Sequence, residues 1–319
     1  MIKWVLLSVV TGIGILFLYI GFALPDVGEA PYLKIDKTEA RIKRGEYLAN
    51  SVSVCMDCHS TRDWSQFSGP LVPGTLGKGG EVFNQKMGFP GAFYAKNITP
   101  DGIGEWTDGE LLRAIASGVS KTGKALFPVM PHPNYGKMDK EDLISIIAYL
   151  RTLKTIKNKV PESRPDFPMN FIIKTIPTAA TFSKKPKVTD QIKYGGYLFN
   201  ATSCTDCHSK QEKGTKIAGM ELAGGFEFPL PTGGIVRSAN ITQDKTTGIG
   251  NWTEAMFVKR FKIYAAKTYI SPKIENGNFN TVMPWKMYAN MKTEDLKAIY
   301  AYLKTIEPIK NKVVKFSKK

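Results

Sequence analysis

All four cysteines and two of the three histidines of this 319-residue chain fall in two copies of one six-residue pattern. CMDCHS begins at Cys55 and CTDCHS at Cys204. Two thiols three positions apart stand on one side of a helical turn, where they can add across the two vinyl groups of one haem. The histidine that follows, His59 or His208, then stands under the iron as its proximal ligand. C-x-x-C-H is thus the pattern of covalent haem attachment. It predicts two haem c groups, one on Cys55 and Cys58 and one on Cys204 and Cys207. A thioredoxin-like CxxC has no reason to carry a histidine next in line, twice. A zinc site built from the four cysteines would leave both histidines unexplained. No cysteine remains for a structural disulfide, so packing and the haems must hold the fold.

The rest of the chain is also written twice. GEYLANSVSVCMDCHS (45–60) matches GGYLFNATSCTDCHS (195–209) with one residue dropped. KNITPDGIGEWT (96–107) matches ANITQDKTTGIGNWT (239–253). VMPHPNYGKMDKEDLISIIAYLRTLKTIKNKV (129–160) matches VMPWKMYANMKTEDLKAIYAYLKTIEPIKNKV (282–313). The order is kept, so a duplicated domain is expected rather than a solenoid.

This register selects the sixth iron ligand. His132 is the one histidine left over, so at most one iron can take two imidazoles. Methionine sulfur is the soft alternative, and it raises the potential. The repeat aligns Met130 with Met283 and Met138 with Met291. We expect Met130 and Met283 as axial ligands, because each precedes a proline in a loop before the last helix. Met138 and Met291 stand at helix entrances, where methionine more often fills apolar gaps. Met287 has no counterpart in the first half and is a weaker candidate. His132, aligned with Trp285, is read as a loop histidine near a haem edge.

The elements that must position these groups are mostly helical. Lys37 to Asn50 can form a helix with Ile42, Tyr47 and Leu48 on one side. TDGELLRAIASGV (107–119) opens with a capping box from Thr107 to Glu110. A further helix starts at Asp139 or Lys140, with Leu143, Ile146, Ile147 and Leu150 at helical spacing. Its counterpart uses Leu296, Ile299 and Leu303. Glycine-rich stretches between the helices are loops or short strands. The predicted organisation is an N-terminal apolar segment (1–25), a first domain (36–160), a linker (161–187) and a second domain (188–315), each domain with its own core. The linker's four prolines argue against a long helix. Its patch Phe171-Ile172-Ile173 is expected to pack on a domain.

From Trp4 to Ala23 there is no charge. Twenty residues at about 1.5 Å each span about 30 Å, a bilayer's hydrocarbon core. Lys3 and the amino terminus favour a cytoplasmic start. A membrane anchor is preferred to a cleaved signal, because the run exceeds the usual signal core of roughly 7–15 residues. Both readings export the body of the protein. The net charge of +16 suits an acidic partner or an anionic membrane surface. The basic residues are scattered and no nucleic-acid-binding signature is present, so nucleic acid is not expected as a partner.

On these residues the sequence resembles the class I c-type cytochromes. It is most similar to the haem-domain repeats of cytochrome subunits in membrane-bound bacterial alcohol and gluconate dehydrogenases. Those carry NIT, GIGxWT and an xMP loop in the same order after CxxCH. The resemblance covers both domains and not the linker; such subunits usually hold three haem domains, and this chain has two. It implies a mainly α fold of two tandem class I cytochrome c domains, preceded here by one transmembrane helix. It also implies that Asn97 and Asn240 lie near haem propionates, with Trp106 and Trp252 bordering the same edge. Arg237, aligned with Tyr94, could neutralise a propionate in the second domain. The family orients its proximal histidine through a backbone carbonyl, usually a proline's. Pro70 fits that role for His59, with Met220 at the aligned place in the second domain.

The expected function is single-electron relay, because a His/Met iron has no open site for substrate. Electrons would arrive from a dehydrogenase or quinol-oxidising complex and leave to a terminal oxidase or soluble cytochrome. The setting would be the periplasmic face of a bacterial cytoplasmic membrane. The alternative is a dihaem peroxidase, which needs one displaceable distal ligand. A redox sensor is disfavoured, since three residues precede the apolar run and no output domain does.

Overall fold

A computed structural model describes residues 2–212 and 214–318. The charged amino terminus at Met1 lies outside them. The first helix, α1 (Ile2–Phe22), is apolar throughout and buries no residue against the rest of the chain. By length and composition it can cross a membrane.

The first half then runs α2 (Glu39–Tyr47), a π-helical turn (Leu48–Val52), α3 (Cys55–Cys58), α4 (Pro100–Ile103), α5 (Asp108–Ser117), α6 (His132–Tyr135) and α7 (Lys140–Leu150). Thr38 caps α2, Asp139 caps α7, and Thr107 with Glu110 closes the predicted capping box on α5. Each cap satisfies amides that the first helical turn leaves free. After α8 (Met169–Ile172) the second half repeats the plan with α9 (Gln191–Ala201), α10 (Cys204–His208), α11 (Glu254–Lys262), α12 (Trp285–Tyr288) and α13 (Thr293–Leu303). Helix is the main regular structure, yet it takes only about 38% of the chain. Long glycine-punctuated loops fill the space between α3 and α4 and between α10 and α11.

Each half carries a small antiparallel sheet beside its CxxCH turn. Strands β1 (Val82–Phe83), β2 (Gly91–Tyr94) and β3 (Arg164–Pro165) form one. In the second half β4 (Gln211–Glu212) pairs with β5 (Thr215–Lys216), and β6 (Glu227–Pro229), β7 (Ile235–Arg237) and β8 (Phe316–Ser317) form the counterpart sheet. The outer strands matter for the boundaries. β3 lies in the expected linker and β8 lies beyond residue 315, yet they occupy equivalent places. The repeat therefore extends past the last matching residues of the sequence. Further along the linker, Ile173 is buried in an apolar cluster with Phe83 and Phe93. Phe171 meets Phe17 of α1 edge-on at 5.2 Å, and Lys174 Nζ donates to the Gly21 carbonyl at 2.7 Å. The linker packs as the sequence predicts, and α1 is one of the surfaces it packs on.

Two separate cores are not found. One continuous apolar cluster contains Leu48, Leu143 and Ile147 from the first half together with Leu198, Leu296 and Leu303 from the second. The reason is a polar seam between the halves that brings their helices together. Tyr47 Oη donates to Asp295 at 2.5 Å, and its repeat partner Tyr197 donates to Asp142 at 2.6 Å. Arg44 adds a two-pronged ion pair to Asp142, and its counterpart Tyr194 donates to Asp295. The two aspartates are almost completely buried. Buried carboxylates are tolerable only with such partners.

Candidate functional site

Both CxxCH turns begin from a strained residue. Val54 has φ 44° and Ser203 has φ 54°, left-handed conformations that non-glycine residues rarely adopt. Such strain persists where surrounding structure over-determines it, often at functional sites. The serine that closes each motif is fully buried: Ser60 Oγ accepts from the Gly77 amide at 3.1 Å and Ser209 Oγ from the Leu222 amide at 3.0 Å. These bonds fold the following loop back over the histidine.

The histidines are held alike. Nδ1 of His59 donates to the Lys96 carbonyl at 2.7 Å, and Nδ1 of His208 to the Ala239 carbonyl at 2.8 Å. This corrects the expectation for Pro70, whose carbonyl accepts from the Asp63 amide and closes a local loop instead. The Met220 carbonyl likewise accepts from Ala223. The orienting carbonyls belong to the residues just before each NIT. With Nδ1 occupied, Nε2 is the nitrogen left for a metal. Gly79 and Gly224 complete the seat. Their amides donate to the carbonyls of His59 and His208 at 2.8 and 2.7 Å. A Cβ on either would come within 2.5 Å of the backbone around Asn97 or Asn240.

The NIT asparagines are bonded within the protein. Asn97 Oδ1 accepts from the amide and hydroxyl of Thr99, and Nδ2 donates to Ile156 O and Asp101. Asn240 repeats this with Thr242, Ile309 O and Thr247. All donor and acceptor capacity of each amide is spent inside the protein. They lock the turn before which each orienting carbonyl lies. Asn158 and Asn311, from the repeated IKNK runs, pin the glycine loops by donating to Lys78 O and Ala223 O. Sequence reasoning passed over both asparagines, although their repetition marked them. Trp106 and Trp252 pack against the core, and their carbonyls accept from Arg151 and Tyr300 of the last helices. Arg237 is engaged with Glu227, Val314 O and Ser317. Its guanidinium ties β7 to its neighbours.

The methionines divide as the repeat suggested. Met138 and Met291 are fully buried core residues, and Met287 is buried as well. Met130 and Met283 are half-buried, packed on the same apolar cluster as Cys55 and Cys204. Each is followed by Pro and then by a residue whose amide bonds back to the methionine carbonyl, His132 to Met130 at 2.7 Å and Trp285 to Met283 at 2.8 Å. His132 opens α6 rather than standing in a loop. It is buried, its ring lies against Gly118, and neither ring nitrogen has a partner. Burial pushes its pKa down to about 4, so it is neutral at ordinary pH. Trp285, in the equivalent place, stacks on Tyr264 at 5.1 Å beneath Arg260.

The donor set fits haem c. The cysteines are unpaired, and burial pushes the Cys55 and Cys58 thiols up to about 12 and Cys204 up to about 11. Reactive redox cysteines have the opposite shift. Between the two motifs lie Tyr135 and Tyr288, each donating to the backbone just before a CxxCH, at Ser53 O and Thr202 O. Burial raises both phenols well above their usual value, and each also feels the acidic residue of the other half's motif, Asp206 or Asp57. Asn134, beside Tyr135, donates to Asp206 of the second motif at 2.5 Å, so the first half reaches the second attachment turn.

The chain has relatives among cytochrome c proteins. Residues 192–307 match the cytochrome c family. The chain is 26% identical over 294 residues to the cytochrome c subunit of a quinone alcohol dehydrogenase from Gluconacetobacter polyoxogenes, covering 86% of this chain and 58% of that protein. It is 26% identical over 285 residues to the gluconate 2-dehydrogenase cytochrome c subunit of Pantoea cypripedii, covering 84% and 60%. A diheme cytochrome c-type protein of Cereibacter sphaeroides is 26% identical over 272 residues, covering 80% and 82%. The chain thus spans less than two thirds of the dehydrogenase subunits it matches. Residues 192–307 thus resemble a cytochrome c domain. Across both halves the chain is similar to cytochrome c subunits of quinone alcohol and gluconate dehydrogenases.

Proposed function

We propose that the chain is a membrane-anchored dihaem cytochrome c that passes single electrons between a dehydrogenase or quinol-oxidising complex and a terminal oxidase or soluble cytochrome. One observation carries the reading: the histidine seat described for Cys55–His59 recurs bond for bond at Cys204–His208. Cys55 and Cys58 would hold one haem, and Cys204 and Cys207 the other. His59 and Met130, and His208 and Met283, would supply the axial atoms. Bound there, each haem supplies a one-electron couple.

The protein's own contribution is rigidity. The carbonyls of Lys96 and Ala239 fix each imidazole ring, and the NIT turns keep those carbonyls in place. A stiff ligand set changes oxidation state with little rearrangement. Retention of α1 as an anchor is supported by its contacts through Phe17 and Gly21 to the linker, which a cleaved signal would forfeit. Dehydrogenase partners are supported by the names of the relatives, and the haem domains would lie on the periplasmic side.

The test is purification of the full chain in mild detergent. Haem assay and intact mass should give two covalent haems per chain, and the reduced protein should be wholly low-spin. Copurifying dehydrogenase or oxidase subunits would name the partner. One haem per chain, or a five-coordinate reduced iron, would defeat the relay and favour a peroxidase.

A further inference from the structure

The two methionine loops are not supported equally. After Ser60 the first half takes 17 residues to reach the amide that bonds back to it, whereas the second half takes 13 from Ser209. The longer loop makes an excursion from Arg62 to Leu71, closed at its base by a bridge between those two residues. Its tip leaves its own half and lies on the second. The Phe67 amide donates to Pro272 O at 2.8 Å, and the Ile274 amide donates to Ser65 O at 2.7 Å. The Phe67 ring stacks on Tyr264 at 6.2 Å.

Ser68 is the centre of this contact. Its amide donates to Asn280 Oδ1 at 2.9 Å. Its hydroxyl donates to the Met283 carbonyl at 2.6 Å and accepts from the Trp285 amide at 3.2 Å. Those two groups flank Pro284, so one hydroxyl brackets the loop that carries Met283. Asn280, fully buried, donates back to the carbonyls of Trp64 and Gln66. Ser68 itself is buried at φ 66°. A serine in that conformation is held there by its surroundings at a cost. Among the described residues, nothing from the second half bonds the Met130 carbonyl in return.

The other end of the excursion is fixed to the first attachment motif. The buried Arg62 guanidinium pairs with Asp57, between Cys55 and His59, at 2.8 Å, and with Glu81 at 3.0 Å. It also lies 4.2 Å from the centre of the Trp64 ring. A continuous set of bonds thus runs from the first CxxCH to the second methionine loop.

We propose that the 62–71 excursion is a strap by which the first half positions the axial methionine of the second, with Ser68 and Asn280 as its positioning residues. Met283 is then held more firmly than Met130, and the two irons exchange their sixth ligand unequally. The inference rests on the axial assignment of Met283.

Ser68→Gly is the informative variant in the holoprotein. Glycine suits φ 66°, so the backbone is not disturbed, while the hydroxyl bonds are lost. The readouts are imidazole titration of the oxidised protein, followed by the loss of the thioether–iron charge-transfer band, and the two midpoint potentials. Wild type should titrate in two steps, Met130 yielding first. In Ser68→Gly the later step should move to lower imidazole by roughly five- to tenfold, the weight of about one net hydrogen bond, with the earlier step and its potential unchanged. Asn280→Asp removes the reciprocal donor and should shift the same step. Met283→Ala separates the two ideas. If it leaves the later step intact, Met283 is not a ligand and the axial assignment falls. If it abolishes that step while Ser68→Gly and Asn280→Asp leave it unmoved, the ligand stands and the strap is refuted.

Discussion

Gly79 and Gly224 are the residues on which the two imidazoles most directly depend. Each has a positive φ and donates its amide to the carbonyl of the proximal histidine while the NIT turn passes over it. A methyl group at either position meets backbone, which cannot swing aside as a flexible side chain would. Gly79→Ala should therefore disturb the first haem and leave the second intact, and Gly224→Ala the reverse. Haem stoichiometry of the purified variants would check this; two haems with unchanged spectra in both variants would refute the seat as drawn. Asn97→Ala should act on the same turn less directly. It leaves the Thr99 amide without a partner and takes from the Ile156 carbonyl its shorter bond, at about 1–3 kcal/mol for an unsatisfied buried group, measurable as a lower denaturant midpoint.

The helices meet where a side chain would not fit. A Cβ on Gly45 of α2 would lie 1.7 Å from the Ser145 carbonyl of α7, and one on Gly195 of α9 would lie 1.9 Å from the Ala298 carbonyl of α13. The paired helices cross with backbones in contact, and only glycine permits it. Gly45→Ala should cost more than about 3 kcal/mol, with the α2–α7 amides losing hydrogen-exchange protection first. The seam between these helix pairs carries a pH dependence. Burial alone would raise the Asp142 carboxyl; Arg44, Tyr197 and Lys185 outweigh it and hold the group below the usual range. Because the folded value is depressed, the unfolded chain takes up the proton first. The stabilisation is complete above the unfolded value of about 4 and is lost as pH falls through the folded value. Asp142→Asn should flatten that acid limb in a plot of unfolding free energy against pH. An unchanged limb would show that the seam is not what titrates.

Taken together, the halves form a unit that should unfold as one. Their apolar residues belong to a single cluster, and the strap, the tyrosine–aspartate pairs and Asn134 with Asp206 cross between them. Cooperative unfolding follows when no half can expose its face without uncovering the other. Calorimetry of the holoprotein should give one transition; two well-resolved peaks would refute the shared core. The +16 charge should make electron transfer to an acidic partner slow as salt rises, measured by stopped-flow reduction at several ionic strengths. Replacing 2–22 by a cleavable export signal should release the body from vesicles while keeping its haem content.

What could be read directly was whatever the chain states locally and states twice. CxxCH, the capping box at Thr107, the helical periodicity of Leu143–Leu150 and the paired Met130 and Met283 all follow from spacing and repetition, and the structure places each in a matching element. The likeness to a family served less well where it assigned the orienting carbonyl. Pro70 carries plausible chemistry in the abstract, but hydrogen bonds are short and directional, and its carbonyl had a nearer group to satisfy. The strap from Arg62 to Leu71, the third strand hidden in the linker and the common core were beyond reach for a different reason. Each joins residues far apart along the chain, and Ser68 and Met283 share no local pattern that encodes their contact. The types and order of the groups that do the chemistry are a property of the sequence; which carbonyl holds each imidazole, and which half steadies which methionine, is set only when the folded chain leaves each buried polar atom one partner within reach.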